Sequence, residues 1–244
     1  RYYLMKILIT GSAGFIGFHL AKKLLNNKNI IYGIDNLNDY YDVSLKHDRN
    51  KVLKQYSNFV FKKIDITNFN NLNNFVKLNK IQIIIHLAAQ AGVRYSINNP
   101  NIYTQYNLLG FFNICEVARL NKINHLLFAS TSSVYGDQEK FPVHEDFDTN
   151  MPQSYYAATK KSNEILAFSY SSIHKISCTG LRFFTVYGPF GRPDMSLFIF
   201  VDKIINKKPI NVFNKGNHVR DFTYIDDTVH CIILASKKIP KKNK

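Results

Sequence analysis

Tyr156 and Lys160 stand four residues apart in the segment Tyr156-Ala157-Ala158-Thr159-Lys160. That spacing puts both side chains on one face of a helix. A phenol with an ammonium beside it is a candidate proton acceptor, because the cation favours the phenolate form of a group whose ordinary pKa is ~10. The chemistry on offer is removal of a proton from a hydroxyl. Such a pair is common on solvated helices, so its meaning depends on what else the chain brings near it.

A glycine loop supplies that context: Gly11-Ser12-Ala13-Gly14-Phe15-Ile16-Gly17. It follows the strand-like run Met5 to Thr10 and precedes a helical pattern in Ile16, Leu20, Leu24 and Leu25, the strand, turn and helix order of a dinucleotide-binding loop. Gly11 permits the tight turn, Gly14 lets backbone approach a pyrophosphate, and Gly17 lets the helix lie close to the strand. The helix start at Phe15 and Ile16 offers oriented N–H groups to phosphates. The spacing is GxxGxxG rather than GxGxxG. A second strand, Ile30 to Ile34, ends in Asp35, placed to accept hydrogen bonds from an adenosine ribose and to repel a 2′-phosphate. Asn36-Leu37-Asn38 follows without an arginine, so NAD is expected rather than NADP. An oxidised nicotinamide ring near Tyr156 would favour the phenolate further.

Composition sets the outer bounds. A chain of 244 residues with 45% hydrophobic residues can bury a sizeable core. No apolar run reaches the ~18 to 20 residues of a membrane span, and Arg1 to Leu4 lacks the apolar stretch of a signal peptide. Cys115, Cys178 and Cys231 lie far apart without metal-ligand spacing; no metal site is expected, and a cytoplasmic location is the default reading. The net charge of +15 is spread through a chain rich in Asn and Ile, and only the tail from Lys237 to Lys244 is clustered. That distribution predicts salt-sensitive non-specific association rather than specific nucleic-acid binding.

Strand and helix patterns alternate along the chain without repeats or a long linker. Phe59 to Lys63 reads as a third strand with Asp65-Ile66 just beyond it, Phe69 to Leu78 as a helix, and Ile81 to Leu87 as a buried strand. A helix is predicted from Asn99-Pro100 to about Asn121, a strand from His125 to Ser130, the tyrosine helix from Ser154 to His174 and a strand from Ser177 to Arg182. The order implies a Rossmann-type, doubly wound parallel sheet. The expected division is a dinucleotide-binding domain over residues 1–180 and a smaller, partial substrate lobe over 181–244. Gly11, Asp35, Asp65, Ala88-Ala89, Thr131 and Thr185 all fall near carboxyl ends of strands, where such sheets bind ligands. His86, inside an apolar strand, and His144, in a loop, are read as structural.

Gly11 to Gly17, His86 to Arg94, Ser130 to Gly136 and Tyr156 to Lys160 together resemble the NAD-dependent epimerase/dehydratase family of extended short-chain dehydrogenase/reductases. The strings Asp35 to Asp42, Arg182 to Pro189, Gly191 to Asp194 and Arg220 to Asp227 are more narrowly similar to UDP-glucuronate 4-epimerases. The likeness covers nearly the whole chain. It implies that Tyr156 as phenolate takes the C4 hydroxyl proton of a UDP-sugar while hydride passes to NAD, giving a transient 4-keto sugar. Thr131 would bond the same oxygen, and Lys160 would hold the nicotinamide ribose and the phenolate. Leu87, Ala88 and Ala89 would run along the cofactor, and Asn107 and Phe183-Phe184 would line the nicotinamide pocket.

The resemblance also helps to choose among reactions. Related 4,6-dehydratases carry an acid and base pair just after the threonine, and UDP-glucuronate decarboxylases a glutamate, where this chain has Ser132-Ser133. Neutral side chains suit epimerisation, and Ser132, Ser133 and Thr185 are candidates to hold a uronate carboxylate. Arg192 and Arg220 are candidate pyrophosphate ligands. Arg94 is a candidate for the substrate carboxylate or, equally, for a helix start. A homodimer paired through two helices is implied by the likeness, as is a C-terminal continuation beyond Lys244 that completes the substrate lobe. Two further readings stay open: a 4-epimerase of UDP-glucose or UDP-N-acetylglucosamine type, and a non-catalytic NAD-binding protein.

Overall fold

Six parallel strands take the order β3-β2-β1-β4-β5-β6, the arrangement in which two mononucleotide-binding halves meet beside the first strand. The computed structural model describes residues 5–217 and 219–240. The Arg1 to Leu4 prefix and the final lysines of the basic tail, Lys241, Lys242 and Lys244, lie outside the described residues. In chain order the sheet comprises β1 (Lys6–Thr10), β2 (Ile30–Asp35), β3 (Phe59–Lys63), β4 (Ile83–His86), β5 (His125–Thr131) and β6 (Cys178–Phe183). A separate parallel pair joins β7 (Thr185–Tyr187) to β8 (Phe222–Tyr224). The helices are α1 (Phe15–Asn26), α2 (Val43–Leu53), α3 (Phe69–Asn79), α4 (Tyr95–Asn98), α5 (Pro100–Tyr103), α6 (Gly110–Leu120), α7 (Tyr155–His174), α8 (Ser196–Ile205) and α9 (Ile225–Lys237).

Each central strand is apolar on both faces because helices cover both. In β1, Leu8 belongs to the cluster formed with α3 and α6, while Ile7 and Ile9 belong to the cluster formed with α1 and α9. All three are at most 1% exposed, and each such burial contributes roughly 1.5–3 kcal/mol relative to exposure. The last helix, α9, packs Ile225, Val229 and Ile232 into the same cluster as α1. The chain after residue 180 therefore contributes both to the sheet's covering layer and to the loop beyond it. By contrast α8 buries none of its residues.

Caps fix where the site-bearing helices begin. The Ser154 hydroxyl accepts from the Ala157 N–H at 3.1 Å, starting α7 one residue before Tyr156. Asp42 caps α2 through the Ser44 N–H at 2.9 Å. The predicted helix from Pro100 is interrupted by a π-helical stretch, Thr104–Leu109, before α6.

The approach of α1 to β1 decides the geometry of the loop between them. A Cβ on Gly17 would lie 2.2 Å from the Gly11 carbonyl oxygen, and one on Gly11, at φ +70°, would lie 2.8 Å from the Ala88 nitrogen. Gly17→Ala should therefore cost about 1–3 kcal/mol from overpacking and abolish dinucleotide binding. Urea unfolding and NAD titration check this, and a variant of native stability that still binds NAD would contradict it.

Candidate active site

The carboxyl ends of β1, β2, β4, β5 and β6 open into one cleft of about 350 Å³. Its walls bring together Gly11, Gly14, Phe15, Ile16 and Gly17 with Asp35, Asn36 and Ile66, then Leu87, Ala88 and Ala89. At the β5 end it adds Thr131, Ser132, Ser133, Tyr156, Lys160, Phe183, Thr185 and Arg192. Residues as far apart in sequence as Gly11 and Thr131 thus share one surface because the parallel strands all end there, and the loop beyond β7 adds Arg192.

The half of the cleft formed by β1 and β2 fits a dinucleotide. No side chain intrudes at Gly11, Gly14 or Gly17, and α1 begins at Gly14 without any side-chain cap, which leaves the first-turn N–H groups to a ligand. The Asp35 carboxylate reaches the cleft while accepting from the N–H groups of Leu37 at 2.8 Å and Ala13 at 3.2 Å. Burial pushes its pKa up against those two bonds and the nearby Lys46. The strip from Leu87 to Ala88 is hung from Thr10, whose hydroxyl accepts from both N–H groups at 3.2 and 3.1 Å. Its own proton is then donated to His86 Nδ1, 2.8 Å away. Burial holds His86 neutral, its pKa pushed down to about 3, so its role is structural.

At the β5 end the geometry differs from the expectation for the tyrosine and lysine pair. Lys160 is 2% exposed, and its ammonium donates to the Ala129 carbonyl at 3.0 Å instead of turning to the phenol. Burial alone pulls its pKa down to about 8. Tyr156 has its pKa raised by burial, opposed first by the charge of Arg192 and then by a hydrogen bond from Thr131. The cation whose charge favours this phenolate is therefore Arg192, expected from the sequence as a pyrophosphate ligand. Arg192 forms a two-pronged ion pair with Asp194, which also accepts from the Tyr40 hydroxyl at 3.2 Å. Thr131 is held at the end of β5, where its hydroxyl accepts from the Ser133 N–H at 3.2 Å.

Four expected site residues do not line the cleft. The π-helical turn carries Asn107 into the interior, where its amide pairs with the Gln90 N–H at 2.8 Å, the Gln90 carbonyl at 3.0 Å and the Thr159 hydroxyl at 3.1 Å. It braces the cleft floor from behind. Asp65 is occupied by Thr67 at 2.7 and 2.9 Å and by Asn36 at 3.0 Å, while its neighbours Ile64 and Ile66 face the cleft. Arg94 is exposed at the start of α4, the helix-start position. Arg220 is exposed ahead of β8 and donates to the adjacent Val219 carbonyl at 2.8 Å. His144 lies in an exposed loop beside Glu145 and Asp146.

The model of the NAD dependent epimerase/dehydratase family matches residues 7–244. The chain belongs to this family. Among its relatives, the protein CapI of Staphylococcus aureus is 50% identical over 240 residues, 98% of this chain and 72% of that protein. The UDP-glucuronate 4-epimerase of Thermodesulfobacterium geofontis is 46% identical over 232 residues, 95% of this chain and 72% of its own. In structure, the UDP-glucuronic acid 4-epimerase of Bacillus cereus, solved with UDP-glucuronic acid and NAD, superposes with a TM-score of 0.91 at 36% identity, covering 97% of this chain and 74% of that one. The cofactor of the family is NAD, which the glycine loop and Asp35 suit. No helix among the described residues is long and apolar enough to cross a membrane.

The charge balance at Tyr156 gives a measurable consequence. In the NAD-free family member the phenol should ionise above the ordinary value of ~10, and Arg192→Gln should raise it further by removing the opposing charge. A near-ultraviolet difference titration against Tyr156→Phe reads this one phenol; ionisation below the ordinary value would contradict the assignment.

Proposed function

We propose that this protein is a UDP-glucuronate 4-epimerase, interconverting UDP-glucuronate and UDP-galacturonate. The observation that carries the reading is the cleft wall around Thr131. It joins a tyrosine under a cationic field to three neutral hydroxyls, Ser132, Ser133 and Thr185, without a carboxylate beside them. The likeness to enzymes of that name supports it.

Tyr156 accepts the proton of the sugar C4 hydroxyl, and Thr131 steadies the same oxygen by a hydrogen bond. NAD, held along Gly11, Gly14, Gly17 and Asp35, would supply reversible hydride exchange at C4 when bound. Lys160 serves the nicotinamide ribose. Ser132, Ser133 and Thr185 hold the carboxylate so that the 4-keto acid, a β-keto acid, does not lose carbon dioxide. Arg192 favours ionisation of Tyr156 and meets the anionic substrate. Because the phenol must ionise, turnover rises with pH through the pKa of Tyr156.

The proposal includes a cytoplasmic location and a homodimer. For the dimer, Leu109, just before α6, and Phe112 on it, with Ile165 and Phe168 on α7, are exposed at i, i+3 spacing, from 43% to 71%. Light scattering on the purified chain should give twice the monomer mass, and a monomer at micromolar concentration would remove this part of the proposal.

The activity test follows UDP-glucuronate with NAD by chromatography. The wild-type chain should form UDP-galacturonate, and Tyr156→Phe should lower kcat by ~10²–10⁴ while still binding NAD. Preferential turnover of neutral UDP-hexoses would overturn the substrate assignment.

A further inference from the structure

Arg192 can act at the Tyr156 end of the cleft only while the loop that carries it, residues 188–195, keeps its place. One buried side chain spans that loop and the dinucleotide loop. Arg49, on α2, is 0% exposed. Its Nη2 donates to the carbonyls of Phe190 at 2.6 Å and Gly191 at 3.3 Å, immediately before Arg192. Its Nη1 donates to the Ala13 carbonyl at 2.9 Å, inside the glycine loop, and to the Tyr41 hydroxyl at 2.9 Å. Its Nε has no partner, and no carboxylate lies within ion-pair distance among the described residues.

A buried cation satisfied only by carbonyls and a phenol is an expensive way to fill space, and an apolar side chain of similar volume would be the cheaper packing solution. What an apolar side chain cannot do is bond two backbone segments that belong to different ends of the site. A lysine could not do so either, because its ammonium is a point donor, whereas the planar guanidinium fixes the angle between its two arms.

We propose that Arg49 is a positioning residue that ties the dinucleotide loop to the Arg192 loop, so that occupancy of the first sets the placement of the second. The Ala13 backbone is the sensor, through the two successive peptide groups that flank its Cα: Asp35 accepts from its N–H at 3.2 Å, and Arg49 donates to its carbonyl. Ribose contact at Asp35 and phosphate contact at the glycine loop both constrain that residue's backbone. The guanidinium carries the constraint to Phe190 and Gly191. A parallel connection runs through Tyr41, bonded to Arg49, and its neighbour Tyr40, bonded to Asp194, which holds Arg192. His19 adds a further tie from α1, its ring nitrogen 2.9 Å from the Pro189 carbonyl. The inference rests on the proposed function only for what Arg192 does once placed.

Amide hydrogen exchange on the chain with and without NAD tests the tie without any turnover. In the wild type, NAD should slow exchange at residues 188–195 as well as at 11–17, by about 10-fold or more at the former. In Arg49→Lys the remote protection should disappear while that of the glycine loop remains. Equal remote protection in the variant would overturn the proposal. So would its absence in the wild type, a result that stands whether or not the variant folds. A kinetic cycle adds a second readout: Arg49→Lys should raise KM for UDP-glucuronate more than it lowers kcat, and should add nothing in an Arg192→Gln background, whereas multiplying losses would contradict action through Arg192. Wild-type protein with exchange coupling but no turnover of UDP-glucuronate would strike the proposed substrate and leave the tie standing.

Discussion

Backbone can meet a pyrophosphate only where no side chain stands in the way, and the packing of α1 on the loop after β1 enforces that condition. The Gly11 carbonyl lies where any Cβ on Gly17 would have to be. The helix start, the strip from Leu87 to Ala88 and the end of β2 are all referred to this contact. Thr10 extends the reference across the sheet, since its hydroxyl takes two N–H groups of that strip and gives its proton to His86. A neutral His86 in turn leaves Lys160 without a second buried cation beside it. The site is thus aligned by main-chain geometry first and by side chains second.

Electrostatics in the cleft are arranged for ligands that bring their own charge. Burial disfavours the charged forms of both Lys160 and Tyr156, so neither is poised by the other. Lys160 spends its proton on the Ala129 carbonyl, and the cation that offsets the cost of a phenolate is Arg192 on a distant loop. A dinucleotide and a UDP-sugar each carry a pyrophosphate, which favours retention of charge on Lys160, Arg192 and Lys46. The net charge of +15 acts in the same direction over longer range.

Much of this architecture is legible in the sequence, because β1 to β6 are short apolar runs ending in punctuated loops and α7 carries its own Ser154 cap. The rest is hidden for definite physical reasons. Helix α2 buries Lys46, Arg49 and Asn50 along with Leu53, so hydrophobic periodicity has almost nothing to find there, and no pattern in the sequence marks the arginine that spans the two loops. Asn107 was displaced from the cleft by a π-helical turn, a change in winding that shifts every later side chain around the helix axis. The string Asp35 to Asp42 contains Tyr40 and Tyr41, but their partners Asp194 and Arg49 are joined to them only by folding. Helix α8 offers the reverse case, an apolar run from Leu197 to Val201 that buries nothing.

An epimerase working on a uronate must keep bases away from a β-keto acid, yet a carboxylate stands one residue from Thr131. Ser130 donates to Glu164 Oε1 at 2.6 Å. That carboxylate is taken up by Arg182, whose Nε and Nη2 bond it at 2.9 Å each, with Lys161 at 3.8 Å. Burial would raise its pKa, but the bonds from Arg182 and Ser130 and the flanking cations outweigh that and hold it ionised. Its bonds to Ser130 on β5 and Arg182 on β6 tie the two strands in the register that sets Thr131 against Phe183. The negative charge beside Ser130 is therefore committed to structure, and the cleft wall around Thr131 presents the hydroxyls of Ser132, Ser133 and Thr185 together with the guanidinium of Arg192.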